Sequence, residues 1–227
     1  IDALKAGFNF IKNNTSRCSI CQIGKVNSSP KIFLTGNEAL STGAIKAGCK
    51  FLAAYPMTPS SAIIHFLALK AKDYNIVVKH TEDEIAAMNM AVGANYAGVR
   101  GMTCTSGGGF ALMTEALGMA AQAEVPVVCI VGQRPGPSTG QPTHTSQADL
   151  RFLIHASQGE FPRIVIAPGD IDECFRETFN AFNLAESFQI PVLILTDKYL
   201  VESYVSRDGL DLNNLKIERG KLLTNDD

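Results

Sequence analysis

The chain has 227 residues, 46% of them hydrophobic and 19% charged, with a formal net charge of −2. That length and apolar content suit one well-filled core with short appendages. The near-neutral charge, without basic stretches interleaved with aromatics, gives no reason to expect nucleic acid or an anionic membrane surface as partner. No apolar run is long enough to span a bilayer and no charged-then-apolar leader opens the chain, so the cytoplasm is the expected compartment. The six cysteines are scattered through a core-rich chain and read as reduced thiols. Cys49, Cys104 and Cys129 fall in or beside apolar runs and read as small core residues. Cys18 and Cys21 have the spacing of half a metal site, but a second pair is missing, so no metal is assigned. His65, His80, His144 and His155 show no metal-ligand spacing and read as structural.

Residues 1–30 form an amino-terminal helical and linker segment, with a helical stripe of Ile1, Leu4, Phe8 and Ile11 followed by Asn- and Ser-rich loops. A chain that opens on Ile1 reads as a fragment, a processed product or part of a longer sequence. Residues 31–205 have a regular alternation. A small-residue helix is expected over 37–49, a strand over 50–54, a helix over 59–72, and a β-branched strand over 75–79. Thr81 is expected to cap a helix running to about Gly98. A strand over 101–105 leads through three glycines into a helix over 110–122. The most apolar strand, 125–131, is expected at the centre of the sheet, with Pro126 confined to its start. A loop over 132–147 precedes a strand at 163–167, a helix at 171–187 opened by Asp170, and a last strand at 190–196. Alternating strands and helices predict an α/β fold, with a mostly parallel sheet covered by helices on both faces. Residues 206–227 read as a polar tail.

The stretch that organises the rest is Tyr55-Pro56-Met57-Thr58-Pro59-Ser60-Ser61, between the strand at 50–54 and the following helix. Pro56 forbids helix at Tyr55, and Pro59 suits the first turn of the helix. Thr58 is thereby expected at the carboxyl end of a strand, where open α/β sheets bind ligands. Its alternative role is a helix cap. Glu84 has two readings from spacing: with Thr81 it completes a capping box, or it is a buried carboxyl at a helix start. Glu82 and Asp83 read as carboxylates at a helix's positive end. Arg134 follows the central strand and either stands over the strand ends or is a surface loop arginine. Thr105-Ser106-Gly107-Gly108-Gly109 reads as a tight strand-to-helix turn or as an anion cradle. It has neither the lysine of a P-loop nor the spacing of a dinucleotide fingerprint.

Taken together with Thr35-Gly36-Asn37-Glu38-Ala39, Glu82-Asp83-Glu84-Ile85-Ala86 and Gln133-Arg134-Pro135-Gly136-Pro137-Ser138-Thr139-Gly140, that stretch resembles the α subunit of 2-oxoacid:ferredoxin oxidoreductases. These are thiamine diphosphate enzymes that oxidise 2-oxoacids with coenzyme A, and the resemblance covers most of residues 31–203. Met57 stands where the family usually has isoleucine, and Gly108 where it often has proline. The resemblance implies the pyrimidine-binding type of thiamine diphosphate fold. It implies that Glu84 activates the cofactor, that Thr58, Arg134, Ser138 and Thr139 bear on the substrate, and that Tyr55, Pro56, Ser106 and Gly107 line the cofactor cleft. The cofactor would be shared with a β subunit carrying the diphosphate and Mg2+ site, with iron–sulfur clusters also on a partner chain or domain and ferredoxin as electron acceptor. A γ-type domain could precede the chain in fused relatives. The form of the 133–140 motif looks most like 2-oxoglutarate or broad 2-oxoacid members.

The diphosphate-anchoring Gly-Asp-Gly segment of thiamine enzymes is replaced here by Gly169-Asp170-Ile171, which reads as a helix cap. A partner is therefore required, and the isolated chain is expected to be inactive. Competing readings are a transketolase-like, non-redox thiamine enzyme half, or a catalytically silent scaffold in which Glu84 only caps its helix. A serine hydrolase based on residues 105–109 stands further off, because no histidine–acid pair accompanies it.

Overall fold

In the computed structural model, residues 1–15, 24, 27–213 and 215–221 are described. Cys18 and Cys21 lie outside the described residues, as do residues 222–227. The chain divides into two compact units, Ile1–Pro30 and Lys31–Asp227. The first contains α1 (Asp2–Asn14), whose apolar Leu4, Phe8 and Ile11 recur at helical spacing.

The second unit runs β1 (Ile32–Thr35), α2 (Gly36–Lys46), β2 (Phe51–Ala54), α3 (Ser61–Tyr74), β3 (Val77–His80), α4 (Glu84–Tyr96), β4 (Gly101–Ser106) and α5 (Gly107–Gln122). It continues with β5 (Val127–Gln133), α6 (Leu150–His155), β6 (Ile164–Ile166), α7 (Ile171–Phe188), β7 (Pro191–Asp197), α8 (Lys198–Glu202) and β8 (Tyr204–Arg207). Six strands pair in the order β3-β2-β4-β5-β7-β6, every pairing parallel. Every residue of β4, β5 and β7 is buried, and β5 and β7 carry the continuous apolar runs of strands covered by helices on both faces. Pro126 lies just before β5, where its missing N–H removes no ladder bond. One core lies on the α2, α3 and α7 face, around Leu40, Ile63, Leu67, Phe175 and Phe182. The other lies on the α4, α5 and α6 face, around Met88, Phe110, Met113 and Leu153. Each such side chain stabilises the fold by about 1.5–3 kcal/mol through removal from water.

From β2 the chain steps outward to β3 and then returns to β4 on the other side of β2. The strand order therefore reverses between β2 and β4, and a crevice at their carboxyl ends is the expected ligand position.

Several local expectations are corrected. Thr81 does not cap α4: its hydroxyl donates to the Asp83 carbonyl, and the Asp83 carboxylate instead caps the helix by accepting from Ala86 N–H. Pro59 is not in the first turn of α3, which begins at Ser61 behind a cis Thr58–Pro59 bond. Thr58 likewise is not the cap of that helix, a position held by Ser60. No turn separates β4 from α5, so the three glycines are the helix's own first turn. Four short elements lie outside the expected pattern: β1, α6, α8 and β8. β1 and β8 pair antiparallel as a separate two-stranded ribbon. Beyond β8 the polar tail is tied down, with Leu210 and Leu215 packed against the first core and the Asn183 side chain bonded to the backbone of Lys216 and Glu218.

Candidate active site

The segment after β2 is seated by three groups that the folding of distant elements brings to it. Asn37, in the first turn of α2, donates from Nδ2 to the Pro59 carbonyl at 2.9 Å. Its helix is itself fixed by a capping box between Thr35 and Glu38. The Ser60 hydroxyl donates to the Thr105 carbonyl at the end of β4. Gly132, in β5, leaves the room: a Cβ there would lie 2.8 Å from Pro59 Cγ and 2.9 Å from Ser60 Oγ. Thr58 is thereby held beside the strand ends, half-buried. Pro56 is half-buried too, and Tyr55 is exposed, with its ring 6.2 Å from that of His80.

Arg134 reaches across to this segment. Its Nη1 donates to the Thr58 carbonyl at 2.9 Å, and the side chain is buried. Burial pushes its guanidinium down from its ordinary range, and the charge of Glu84 pushes it back up. The two residues are thus electrostatic neighbours although they are 50 positions apart in sequence (134 − 84).

Glu84 opens α4 and is only 3% exposed. Its Oε1 has no hydrogen-bond partner among the described residues. With Asp83 capping the helix, the carboxylate is free of the capping box that spacing alone allowed. It lies against α5, where a Cβ on Gly109 would stand 2.6 Å from Glu84 Oε1. A buried carboxylate oxygen left without a partner is costly, so a missing hydrogen-bond donor is the physical inference. Ser106 is likewise buried with an unpartnered Oγ, at the N-cap of α5.

Gly107 and Gly108 sit under the loop that follows β5. Ser138 and Thr139 are exposed on its turn, and Ser138 has φ 56°. A cavity of about 240 Å3 is lined by Gly107, Gly108, Arg134, Pro137, Ser138 and Asp149, among others. Gly140 closes the turn at φ 61°, where a Cβ would overlap the Pro135 carbonyl oxygen at 1.7 Å. The far end of the loop is anchored by Asp197, at the end of β7, which accepts from Gln147 Nε2 at 2.7 Å and from Leu200 N–H at 3.0 Å.

The structure therefore brings Thr58, Glu84, Ser106, Gly107 and Arg134 near the carboxyl ends of β2, β4 and β5. Of the residues singled out in the sequence, Gly107, Arg134 and Ser138 line the cavity, whereas Tyr55, Pro56, Thr58, Glu84, Ser106 and Thr139 are not part of its lining. The sequence reading missed Asp149 and Asp197, the aspartates that shape the loop, each of which stands directly before a short helix. Among the described residues no three His, Cys, Asp or Glu side chains gather as a metal site, and no helix is long and apolar enough to cross a membrane.

Comparison with known proteins bears on the family and the fold. The α subunit of the 2-oxoacid:ferredoxin oxidoreductase of Saccharolobus solfataricus is 46% identical over 213 residues, which is 88% of this chain and 34% of that subunit. The 2-oxoglutarate synthase subunit KorA of Methanothermobacter thermautotrophicus is 47% identical over 166 residues, 73% of this chain and 44% of KorA. The chain thus spans between a third and a half of these relatives. Among solved structures, the 2-oxoglutarate:ferredoxin oxidoreductase from Magnetococcus marinus, with 2-oxoglutarate, coenzyme A and succinyl-CoA bound, superposes with a TM-score of 0.87 at 35% identity. That match covers all of this chain and 40% of the neighbour. Residues 42–223 match the family described as pyruvate flavodoxin/ferredoxin oxidoreductase, thiamine diP-bdg, and this chain belongs to that family of thiamine diphosphate-binding domains.

Proposed function

We propose that this chain is the pyrimidine-side domain of a 2-oxoacid:ferredoxin oxidoreductase, active only in complex with a partner. The reaction is oxidative decarboxylation of a 2-oxoacid, 2-oxoglutarate or a broader range, to the acyl-coenzyme A, with the electrons passed to ferredoxin. The observation that carries this reading is the buried Glu84 carboxylate with its unpartnered Oε1, at the crevice where the strand order reverses. An aminopyrimidine ring nitrogen accepts when neutral and donates when protonated, so it would pair with such an oxygen through one proton held between them. Thiamine diphosphate, when bound, would supply the carbon nucleophile and electron sink that decarboxylation of a 2-oxoacid needs. Glu84 would hold a proton at its carboxyl for the aminopyrimidine ring. Arg134 binds the substrate carboxylate through its planar guanidinium, and the Thr58 segment fixes that guanidinium in place. Ser106 and Gly107 line the cofactor side, with Tyr55 and Pro56 at the rim, while Ser138 and Thr139 face incoming substrate. On this reading the diphosphate and Mg2+ site belongs to a partner β subunit, and the iron–sulfur clusters to a partner chain or domain.

The test is coenzyme A-dependent reduction of a viologen dye by the assembled complex with a 2-oxoacid, comparing wild type with Glu84→Gln. Turnover is expected to fall at least about 100-fold, the usual contribution of a positioned proton-transfer group, with assembly intact. Undiminished turnover would leave Glu84 a structural role only.

A further inference from the structure

Asp149 occupies a helix N-cap position and yet does not cap its helix. Asp83, Asp170 and Asp197 each accept a hydrogen bond from the backbone of the helix they precede, whereas Asp149 makes no such bond with α6. Its carboxylate is turned instead onto the start of α5. A Cβ at Gly107 would lie 2.4 Å from Asp149 Oδ2, 2.9 Å from Cγ and 3.1 Å from Oδ1, so the carboxylate occupies the space that a side chain on the helix's first residue would take. The placement is held from behind: Asp149 N–H donates to Oε1 of the buried Gln133 at 2.9 Å, and Gln133 directly precedes Arg134. Burial pushes the Asp149 carboxyl up from its ordinary range, and no ion pair among the described residues offsets this.

The cavity it lines offers an anion two attractive places. One is the Arg134 guanidinium, and the other is the positive end of α5, whose Ser106 N-cap makes no side-chain cap bond and whose first N–H groups have no partner within the helix. We propose that Asp149 is a positioning residue that closes the amino terminus of α5 to anions, so that the carboxylate of an anionic substrate registers on Arg134 alone. This rests on the reading of the cavity as a 2-oxoacid site, and it adds the residue that sets the orientation of substrate there. The negative charge at Asp149 answers the helix terminus internally, and a substrate bound with its carboxylate on α5 would present the wrong end to the reacting centre.

The experiment is calorimetric titration of sulfate into the full chain, wild type against Asp149→Asn, with Asp170→Asn as a control for simple loss of one negative charge at a helix start. The Asp149→Asn chain is expected to bind sulfate about ten-fold tighter than wild type, the scale of one charge at a partly buried helix terminus, and the control is expected to be unchanged. In the assembled complex the same variant is expected to become sensitive to competitive inhibition by sulfate, with kcat lowered and KM for the 2-oxoacid not raised, the pattern of non-productive binding. Circular dichroism verifies the fold, and Asp149→Ser carries the same test if the asparagine variant does not fold. Equal sulfate affinity in wild type and variant, or an equal gain in the control, overturns the proposal. Because the titration needs no turnover, its failure is distinct from failure of the wild-type complex to oxidise 2-oxoacids, which would overturn the functional reading instead.

Discussion

Gly109 and Glu84 meet without room for a methyl group between them. A Cβ on Gly109 would lie 2.6 Å from Glu84 Oε1, 2.8 Å from Glu84 Cγ and 2.1 Å from Thr105 Oγ1. The absence of a side chain in the first turn of α5 is thus what allows a carboxylate from α4 to lie buried at the crevice. Gly109→Ala is expected to cost about 1–3 kcal/mol, the range of core overpacking, and to displace the carboxylate. Thermal unfolding reads the first effect, and thiamine diphosphate affinity of the assembled complex reads the second. Adding Thr105→Ala relieves one of the two clashes, so the double variant is expected to regain stability without regaining cofactor affinity.

Arg134 donates to the Thr58 carbonyl while burial presses on its charge. Lysine keeps the charge but has no planar fork to bond a backbone carbonyl and a carboxylate together. Arg134→Lys is therefore expected to raise KM for the 2-oxoacid about 10- to 100-fold, the scale of one charged hydrogen bond. Steady-state dye reduction by the complex measures it. An unchanged KM would place the substrate carboxylate elsewhere.

How far these residues are legible without coordinates depends on what each signal can carry. Val127 to Val131 announces a buried strand because burial on both faces demands a continuous apolar run. The short elements do not: α6 and α8 are stabilised by what they pack against, and β1 finds its partner β8 only after the rest of the chain has folded. Spacing could not decide Glu84, because Thr81 and Asp83 are both good caps for the same helix and only the geometry shows which one bonds. Asp149 precedes a helix that the sequence does not announce, and it holds the N-cap position without making the cap bond, so only the geometry shows where its carboxylate lies. Arg100 gives no local signal at all, since its partners lie on α7 and in the carboxyl-terminal segment.

The thiols carry a pH prediction. Burial pushes Cys49, Cys104 and Cys174 up from 9.0 to about 12, and pushes Cys129 up as well. A raised value in the folded state means that the native protein keeps its proton where the unfolded chain loses it. Stability is therefore fully present below about pH 9 and falls between pH 9 and 12, by up to about 1.4 kcal/mol per pH unit for each thiol. Urea unfolding across that range measures the slope. At pH 8 the same four cysteines are expected to resist iodoacetamide in the native state, and mass spectrometry of the alkylated peptides checks it.

Arg100 ties the carboxyl-terminal segment to the sheet domain. Its Nε donates to Glu186 Oε2 at 2.8 Å, its Nη1 to the Ala47 carbonyl at 2.5 Å, and its Nη2 to the Glu218 carbonyl at 2.6 Å and Asn183 Oδ1 at 3.0 Å. The guanidinium is 3% exposed and the Glu186 carboxylate 9%. Among the described residues, Arg100→Met leaves that carboxylate with Arg219 as its one ion-pair partner, 2.7 Å away but more than a third exposed and so screened by water. Removing one member of a buried pair costs about 3–5 kcal/mol, so the single variant is expected to lose that much in urea unfolding. Replacing both members with apolar groups removes the stranded charge, and Arg100→Met with Glu186→Leu is expected to recover most of the loss, because Arg219 can turn to solvent. The carbonyls of Ala47 and Glu218 lose their donor in either variant. A double variant no better than the single one would therefore show that those backbone bonds, and not the ion pair, hold the segment down.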